Sequence, residues 1–215
     1  MNRFWFFDLD GTLADTDPDI RLSWKAAIAD LGLECPHFDS VFVAGPTLEE
    51  MGRKLFPGVY TDALGAQLRE RFGRRYDSGG FPNTIEYPGV LASVRALKER
   101  GDRIFIVTNK RYAGASAMMR HFRWDAVFEK LYTGDMHADN PAIGKMRKPE
   151  LLAFVLGELG ADPSVCTMVG DTINDFEAAR RNGVRSVAVC WGYGTAEERA
   201  AADLVVQTPE EILHA

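Results

Sequence analysis

Cysteine is scarce in this chain: Cys35, Cys166 and Cys190 are its three, and they lie far apart. That spacing offers neither a disulfide framework nor a C-x-x-C site. Histidine is scarce too, with four residues and no H-E-x-x-H arrangement. A zinc centre is therefore not expected, and any metal would have to be held by oxygen. Positive charge is in deficit, 25 Lys and Arg against 31 Asp and Glu, for a net charge of −6. That balance argues against a broad face for nucleic acid but not against a small anion held locally. Long apolar runs are missing as well. The opening run Phe4-Trp5-Phe6-Phe7 meets Asp8 at once, too soon for a signal peptide or a membrane span. The expectation is a cytoplasmic protein that binds neither nucleic acid nor membrane.

What is present is ordinary globular text. The 215 residues are 46% hydrophobic and 26% charged, enough for one or two domains with a packed core. Short apolar runs at Phe4 to Phe7, Ile104 to Val107, Val165 to Val169 and Val187 to Trp191, and a weaker one at Lys130 to Thr133, predict strands. Continuous runs of this kind suit a parallel sheet buried on both faces. Helical spacing lies between them: Val90, Leu91, Val94 and Leu97 before Gly101, then Leu151 to Leu159 behind Pro149, then Phe176 to Arg180 before Gly183. Thr195 with Glu198 fits a capping box. Strands alternating with helices from residue 88 onward predict a doubly wound α/β fold with a Rossmann-like parallel sheet.

The first strand breaks this rhythm. From Ala14 to Tyr87, about 74 residues read as helix only, too many for a loop. Ile20, Trp24, Ala27, Ile28 and Leu31 form one stripe; Leu48, Met51 and Leu55 a second; Leu64, Leu68 and Phe72 a third. The expected division is a core of residues 1–13 and 88–215 carrying an α-helical cap domain of residues 14–87.

Polar residues converge on one edge of that scaffold. Asp8 and Asp10 end the first strand, Thr108 and Asn109 end the next core strand, and Asp171 and Asp175 follow the Val165 to Val169 strand. Open parallel sheets bind ligands beyond these carboxyl ends. Four carboxylates in so small a volume repel unless a cation intervenes, and oxygen-only ligands favour Mg²⁺. A metal among carboxylates can clamp a phosphoryl oxygen, with Thr108 and the Asn109 region as donors and one of Lys110, Lys145 and Lys148 as counter-charge. Phosphoryl transfer is the chemistry this suits.

Asp8-x-Asp10-Gly11-Thr12, Thr108-Asn109, a later Lys148-Pro149 and Gly170-Asp171-x-x-x-Asp175 resemble the four motifs of the haloacid dehalogenase superfamily. The helical insertion resembles the cap of its phosphoglycolate phosphatase-like branch. The resemblance implies that Asp8 is the nucleophile and Asp10 the general acid/base. It also implies Mg²⁺ held by Asp8, the Asp10 backbone carbonyl and Asp171, with Asp175 nearby, and a phosphoryl group bound by Thr108, Asn109 and Lys148. Glu150 stands where the family's Lys-Pro-x-Pro loop goes on, which leaves Lys145 as the alternative lysine.

Bland readings stand beside these. Asp175 could cap its helix or pair with Arg180 or Arg181. Lys110 and Arg111 could begin a solvated helix, and Arg69, Arg71, Arg74 and Arg75 could form a solvated face. Gly192-Tyr193-Gly194-Thr195 lacks any phosphate-loop spacing and reads as a plain turn. Arg53, the Gly45-Pro46-Thr47 turn and Lys110 are candidates to face the substrate. The expected activity is hydrolysis of a small-molecule phosphomonoester by a monomer or loose homodimer. The alternatives are a β-phosphoglucomutase-like phosphomutase and, from another class, a receiver-like protein that holds a phospho-aspartate for signalling. Gly45-Pro46-Thr47 in place of a Ser-Arg pair disfavours the mutase, and the long insertion disfavours the receiver.

Overall fold

The computed structural model describes residues 3–78 and 80–215. The first two positions of the expected core and position 79 of the expected cap lie outside the described residues. Eight strands are described: β1 (Phe4–Phe7), β2 (Ala14–Asp15), β3 (Ile85–Glu86), β4 (Arg103–Thr108), β5 (Lys130–Thr133), β6 (Cys166–Gly170), β7 (Arg185–Val189) and β8 (Leu204–Val206). Nine α-helices accompany them: α1 (Asp17–Asp30), α2 (Phe38–Val41), α3 (Leu48–Leu55), α4 (Asp62–Tyr76), α5 (Val90–Glu99), α6 (Tyr112–His121), α7 (Lys148–Leu159), α8 (Ile173–Arg181) and α9 (Ala196–Arg199).

Six strands form one sheet in the order β5-β4-β1-β6-β7-β8, every pair parallel. The α/β expectation is met. Alternation along β1 explains the two-sided burial: Trp5 and Phe7 pack on one face, while Phe6 joins Phe105, Val107 and Met168 on the other. The order reverses at β1. The chain leaves it for β4 and β5 on one side, then returns to β6, β7 and β8 on the other. A crevice opens where neighbouring connections depart in opposite directions, and here it lies beyond the carboxyl end of β1.

Three readings of the sequence need correction. The insertion is not purely helical: β2 and β3 stand at its two ends and pair antiparallel, Ala14 with Glu86 and Asp15 with Ile85. Strands of two residues carry no periodicity, and only their pairing makes them visible. The edge strand β8 was not anticipated, being three residues long with Val205 exposed. The run ending at Trp191 stops being strand at Val189, and Trp191 instead donates its indole N–H to the Thr12 carbonyl at 3.1 Å.

The helices of the insertion follow from their stripes. Trp24, Met51, Leu55, Leu68 and Phe72 are buried together in the larger apolar cluster. α1 and α4 make the main packing, with Trp24 and Phe72 rings 5.9 Å apart. Asp19, in the first turn of α1, is buried and accepts from the Asn83 backbone (3.0 Å), the Asn83 side chain (2.8 Å) and the Thr84 hydroxyl (2.8 Å). This carboxylate fastens the returning chain to the start of the insertion.

Candidate active site

β1 delivers Asp8 to the crevice, and the Asp8 N–H still donates to the Val169 carbonyl of β6 at 2.9 Å. Gly11 then turns the chain at φ +76°, with Asp171 and Tyr193 packed where a side chain would stand. A left-handed turn so close to another side chain admits glycine alone. β6 ends at Gly170 and α8 starts behind Thr172, which sets Asp171 and Asp175 over the same crevice. Thr108 closes β4, buried to 1% exposure.

Asp8, Asp171 and Asp175 each offer a carboxylate oxygen within 4.8 Å of the other two. Lys148 is the cation among them, 2% exposed, with Nζ 2.9 Å from Asp8 Oδ1 and 2.5 Å from Asp175 Oδ1. Pro149 in the first turn of α7 places that lysine, whereas Lys145 is exposed on the preceding loop. Three carboxylates against one ammonium leave uncompensated negative charge in a buried volume. The electrostatics follow. Burial pushes the Asp8 carboxyl up to about 6, with Lys148 opposing and Asp175 assisting. Burial, then Asp175 and Asp8, raise Asp171 well above the usual carboxylate range. For Lys148, burial works toward a lower pKa, but Asp175 and Asp8 overcome it and hold the group above an ordinary lysine.

The fourth acidic residue is elsewhere, which corrects the expected cluster of four. Asp10 turns its carboxylate toward the insertion, where Oδ1 accepts from the Thr16 hydroxyl at 2.7 Å and from Lys110 Nζ at 2.8 Å. Lys110 is not a solvated helix start. Its side chain is 7% exposed, its Nζ donates to the Tyr76 hydroxyl at 2.7 Å, and it sits 4.4 Å from that ring's centroid. Arg111 beside it pairs with Asp77 at 2.9 Å. Two consecutive residues after β4 therefore grip the end of α4.

Of the bland readings of Asp175, the capping of its helix holds, in a box with Thr172, and the pair with Arg180 or Arg181 does not. Asp175 Oδ2 accepts from the Thr172 N–H at 3.0 Å and the Thr172 hydroxyl at 3.1 Å while Oδ1 holds Lys148, and Arg181 pairs with Glu150 instead. Asn109 is half-buried between Thr108 and Lys110, and the Lys110 N–H donates to Thr108 Oγ1 at 3.2 Å. Gly45 faces the crevice rim, where a Cβ would come 3.8 Å from Thr172 Cγ2. Arg53 does not reach inward: it is 55% exposed, paired with Glu49 and laid over the Tyr60 ring. Of the cap arginines, Arg74 and Arg75 are exposed while Arg69 and Arg71 are half-buried.

The Gly192-Tyr193-Gly194-Thr195 turn, plain by its motif spacing, carries a contact to the site. The Tyr193 N–H donates to Asp171 Oδ2 at 2.7 Å, and its hydroxyl lies against Asp15, Thr16 and Asp17. The signal available was positional: a Gly-Tyr-Gly directly beyond the carboxyl end of β7, next to the strand that carries Asp171.

Fold and site define a class, α/β proteins whose switch-point crevice gathers buried carboxylates around a lysine and a strand-end threonine. Residues 5–189 match the model of the haloacid dehalogenase-like hydrolase family. A phosphoglycolate phosphatase of Aquifex aeolicus (strain VF5) is 30% identical over 193 residues, 89% of this chain and 86% of that one. A 5'-nucleotidase of Pseudomonas aeruginosa is 29% identical over 199 residues, 91% and 86% of the two chains. A haloacid dehalogenase-like family hydrolase from Streptococcus pneumoniae superposes with a TM-score of 0.82 at 22% identity, covering 99% of this chain and 97% of that one. The chain belongs to the haloacid dehalogenase-like hydrolase family, and it is a phosphoglycolate phosphatase-like hydrolase of phosphate esters.

Proposed function

We propose that the protein is a Mg²⁺-dependent phosphatase that hydrolyses a small-molecule phosphomonoester through an aspartyl-phosphate on Asp8. The observation that carries this reading is the buried trio Asp8, Asp171 and Asp175 with its single lysine. The donor set is all oxygen, and no aligned hydrogen bond reaches the buried Asp8 Oδ1 although Lys148 stands beside it. A hard cation fits such a set. Asp8, the Asp10 backbone carbonyl and Asp171 would hold it, with Asp175 supporting from behind. Bound there, Mg²⁺ neutralises the excess carboxylate charge and polarises a phosphoryl oxygen.

In the first step a carboxylate oxygen of Asp8 attacks phosphorus and the bond to the ester oxygen breaks. Asp10 gives its proton to the departing alcohol. In the second, Asp10 takes a proton from water, the water oxygen attacks phosphorus, and the bond to Asp8 breaks to release phosphate. Thr108, Asn109 and Lys148 bind the phosphoryl oxygens. Residues 1–13 and 88–215 form the catalytic core and residues 14–87 the cap. Contacts of Lys110 with Tyr76 and of Arg111 with Asp77 support the cap as a cover over the crevice. A cover of that kind excludes water and leaves room for a small leaving group rather than a macromolecule. One chain supplies every residue named, so the reading needs no more than a monomer or loose dimer. Phosphoglycolate is the first substrate to try, given the relatives, with nucleoside monophosphates second.

The test is phosphate release by the wild type and by Asp8→Asn with Mg²⁺, across phosphoglycolate, nucleoside monophosphates, hexose phosphates and p-nitrophenyl phosphate. The expected result is turnover in the wild type, lost on chelation and reduced about a thousandfold or more in the variant. A folded, Mg²⁺-supplied wild type that released no phosphate from any ester would overturn the proposal.

A further inference from the structure

We propose that Tyr193 is a positioning residue of this site, a pin that seats the first cap linker on the loop carrying Asp171; the inference rests on the phosphatase reading above. The two ends of the residue touch different machinery. At the backbone end its N–H donates to Asp171 Oδ2 at 2.7 Å. The loop lies so close that a Cβ at Gly192 would fall on the Asp171 side chain and the Gly11 carbonyl, and one at Gly194 on the Asp171 carbonyl. Glycines on both sides let the Tyr193 backbone lie flat against the metal-site carboxylate.

At the other end the hydroxyl accepts from the Thr16 N–H at 2.7 Å and the Asp17 N–H at 2.9 Å, and donates to Asp15 Oδ1 at 2.9 Å. A phenol hydroxyl has one proton and two lone pairs, and all three are engaged. The two amides stand at the start of α1, where helix N–H groups have no partner within the helix. Thr16 occupies the N-cap position without capping with its side chain. Its hydroxyl goes to Asp10 instead, at 2.7 Å. Tyr193 therefore caps the first helix of the insertion from a distant loop, which releases Thr16 to hold the acid/base carboxylate. Asp171 and Asp10 are thus referenced to each other through one rigid side chain.

A cap whose linker is seated this way closes over the crevice from one fixed origin. Loss of the seat lowers the fraction of molecules competent to receive substrate, which raises apparent KM and leaves turnover of the bound complex alone.

Tyr193→Phe tests this, because it removes the hydroxyl and keeps the ring and the backbone bond to Asp171. Amide exchange at Thr16 should quicken about tenfold, and at Asp17 by less, because the Asp17 N–H also reaches Asp15 Oδ1 at 3.2 Å. KM for p-nitrophenyl phosphate should rise about tenfold with kcat and the Mg²⁺ half-saturation concentration held within about twofold. Asp15→Ala removes the group that orients the hydroxyl and a second acceptor of the Asp17 N–H, so exchange at Thr16 and KM are its readouts and should move in the same direction by less. Unchanged KM with faster exchange would overturn the proposal, reducing the contact to local structure. So would a fall in kcat or in Mg²⁺ affinity at unchanged KM. Exchange needs no turnover, so unchanged exchange sinks the seating role alone, while an inactive wild type sinks the phosphatase reading alone.

Discussion

Asp8 shows how one residue carries opposing demands. Burial and the neighbouring Asp175 raise its carboxyl to about 6, although Lys148 pulls the other way. The metal-free protein pays for this at neutral pH. A carboxyl whose folded pKa lies above its unfolded value stabilises the fold while protonated, and that contribution is lost as pH climbs through the folded value. Chelator-treated wild type should therefore lose stability between about pH 4 and pH 6. Asp8→Asn, which cannot ionise, should remove part of that loss in urea titrations and leave the share of Asp171, whose carboxyl burial also raises. A variant that lost as much stability across that interval as the metal-free wild type would contradict the assignment of Asp8 as a strained carboxylate.

At the scale of elements, the insertion is held at both ends by polar contacts that join segments far apart in the chain. Asp19 links α1 to Asn83 and Thr84, 64 and 65 residues away. Deleting this buried acceptor leaves three donors to find water or go unpaired. Asp19→Ala should cost about 2 kcal/mol or more of stability in urea unfolding. The loss should show first as faster amide exchange in the β2–β3 ribbon and the start of α1. Asp19→Asn retains one acceptor oxygen and should lose less. A loss no greater than a surface substitution's, within about 0.5 kcal/mol, would show that the apolar packing of Trp24 and Phe72 holds the insertion unaided.

At the scale of the molecule, the charge balance of the crevice predicts a ligand-linked stability. Anything that binds the folded site and not the unfolded chain stabilises by mass action, about 2.7 kcal/mol at a hundredfold excess over Kd. Added Mg²⁺ should raise the thermal midpoint of the wild type, and Asp171→Asn should abolish most of that rise. The midpoint of the metal-free variant should match or exceed that of the metal-free wild type, because a buried like charge has gone. No described helix is long and apolar enough to cross a membrane.

Much of this was legible in the linear text because it depends on short-range physics. Apolar runs make buried strands, Pro149 starts a helix, and a carboxylate directly after a parallel strand must stand at the sheet's edge. Asp8, Thr108 and Asp171 stand where that reasoning puts them, and so do five of the six strands of the sheet. What escaped it depends on contacts with no local signature. Lys110 meets Asp10 across 100 positions and Tyr193 meets Thr16 across 177. A lysine after a strand and a tyrosine between glycines look the same in sequence whether they face water or another segment. The turning of Asp10 out of the carboxylate cluster, the pairing of β2 with β3 and the capping of α1 by Tyr193 were set only when the chain folded back on itself. Each satisfies a charge or backbone group that its own neighbours in sequence leave unpaired.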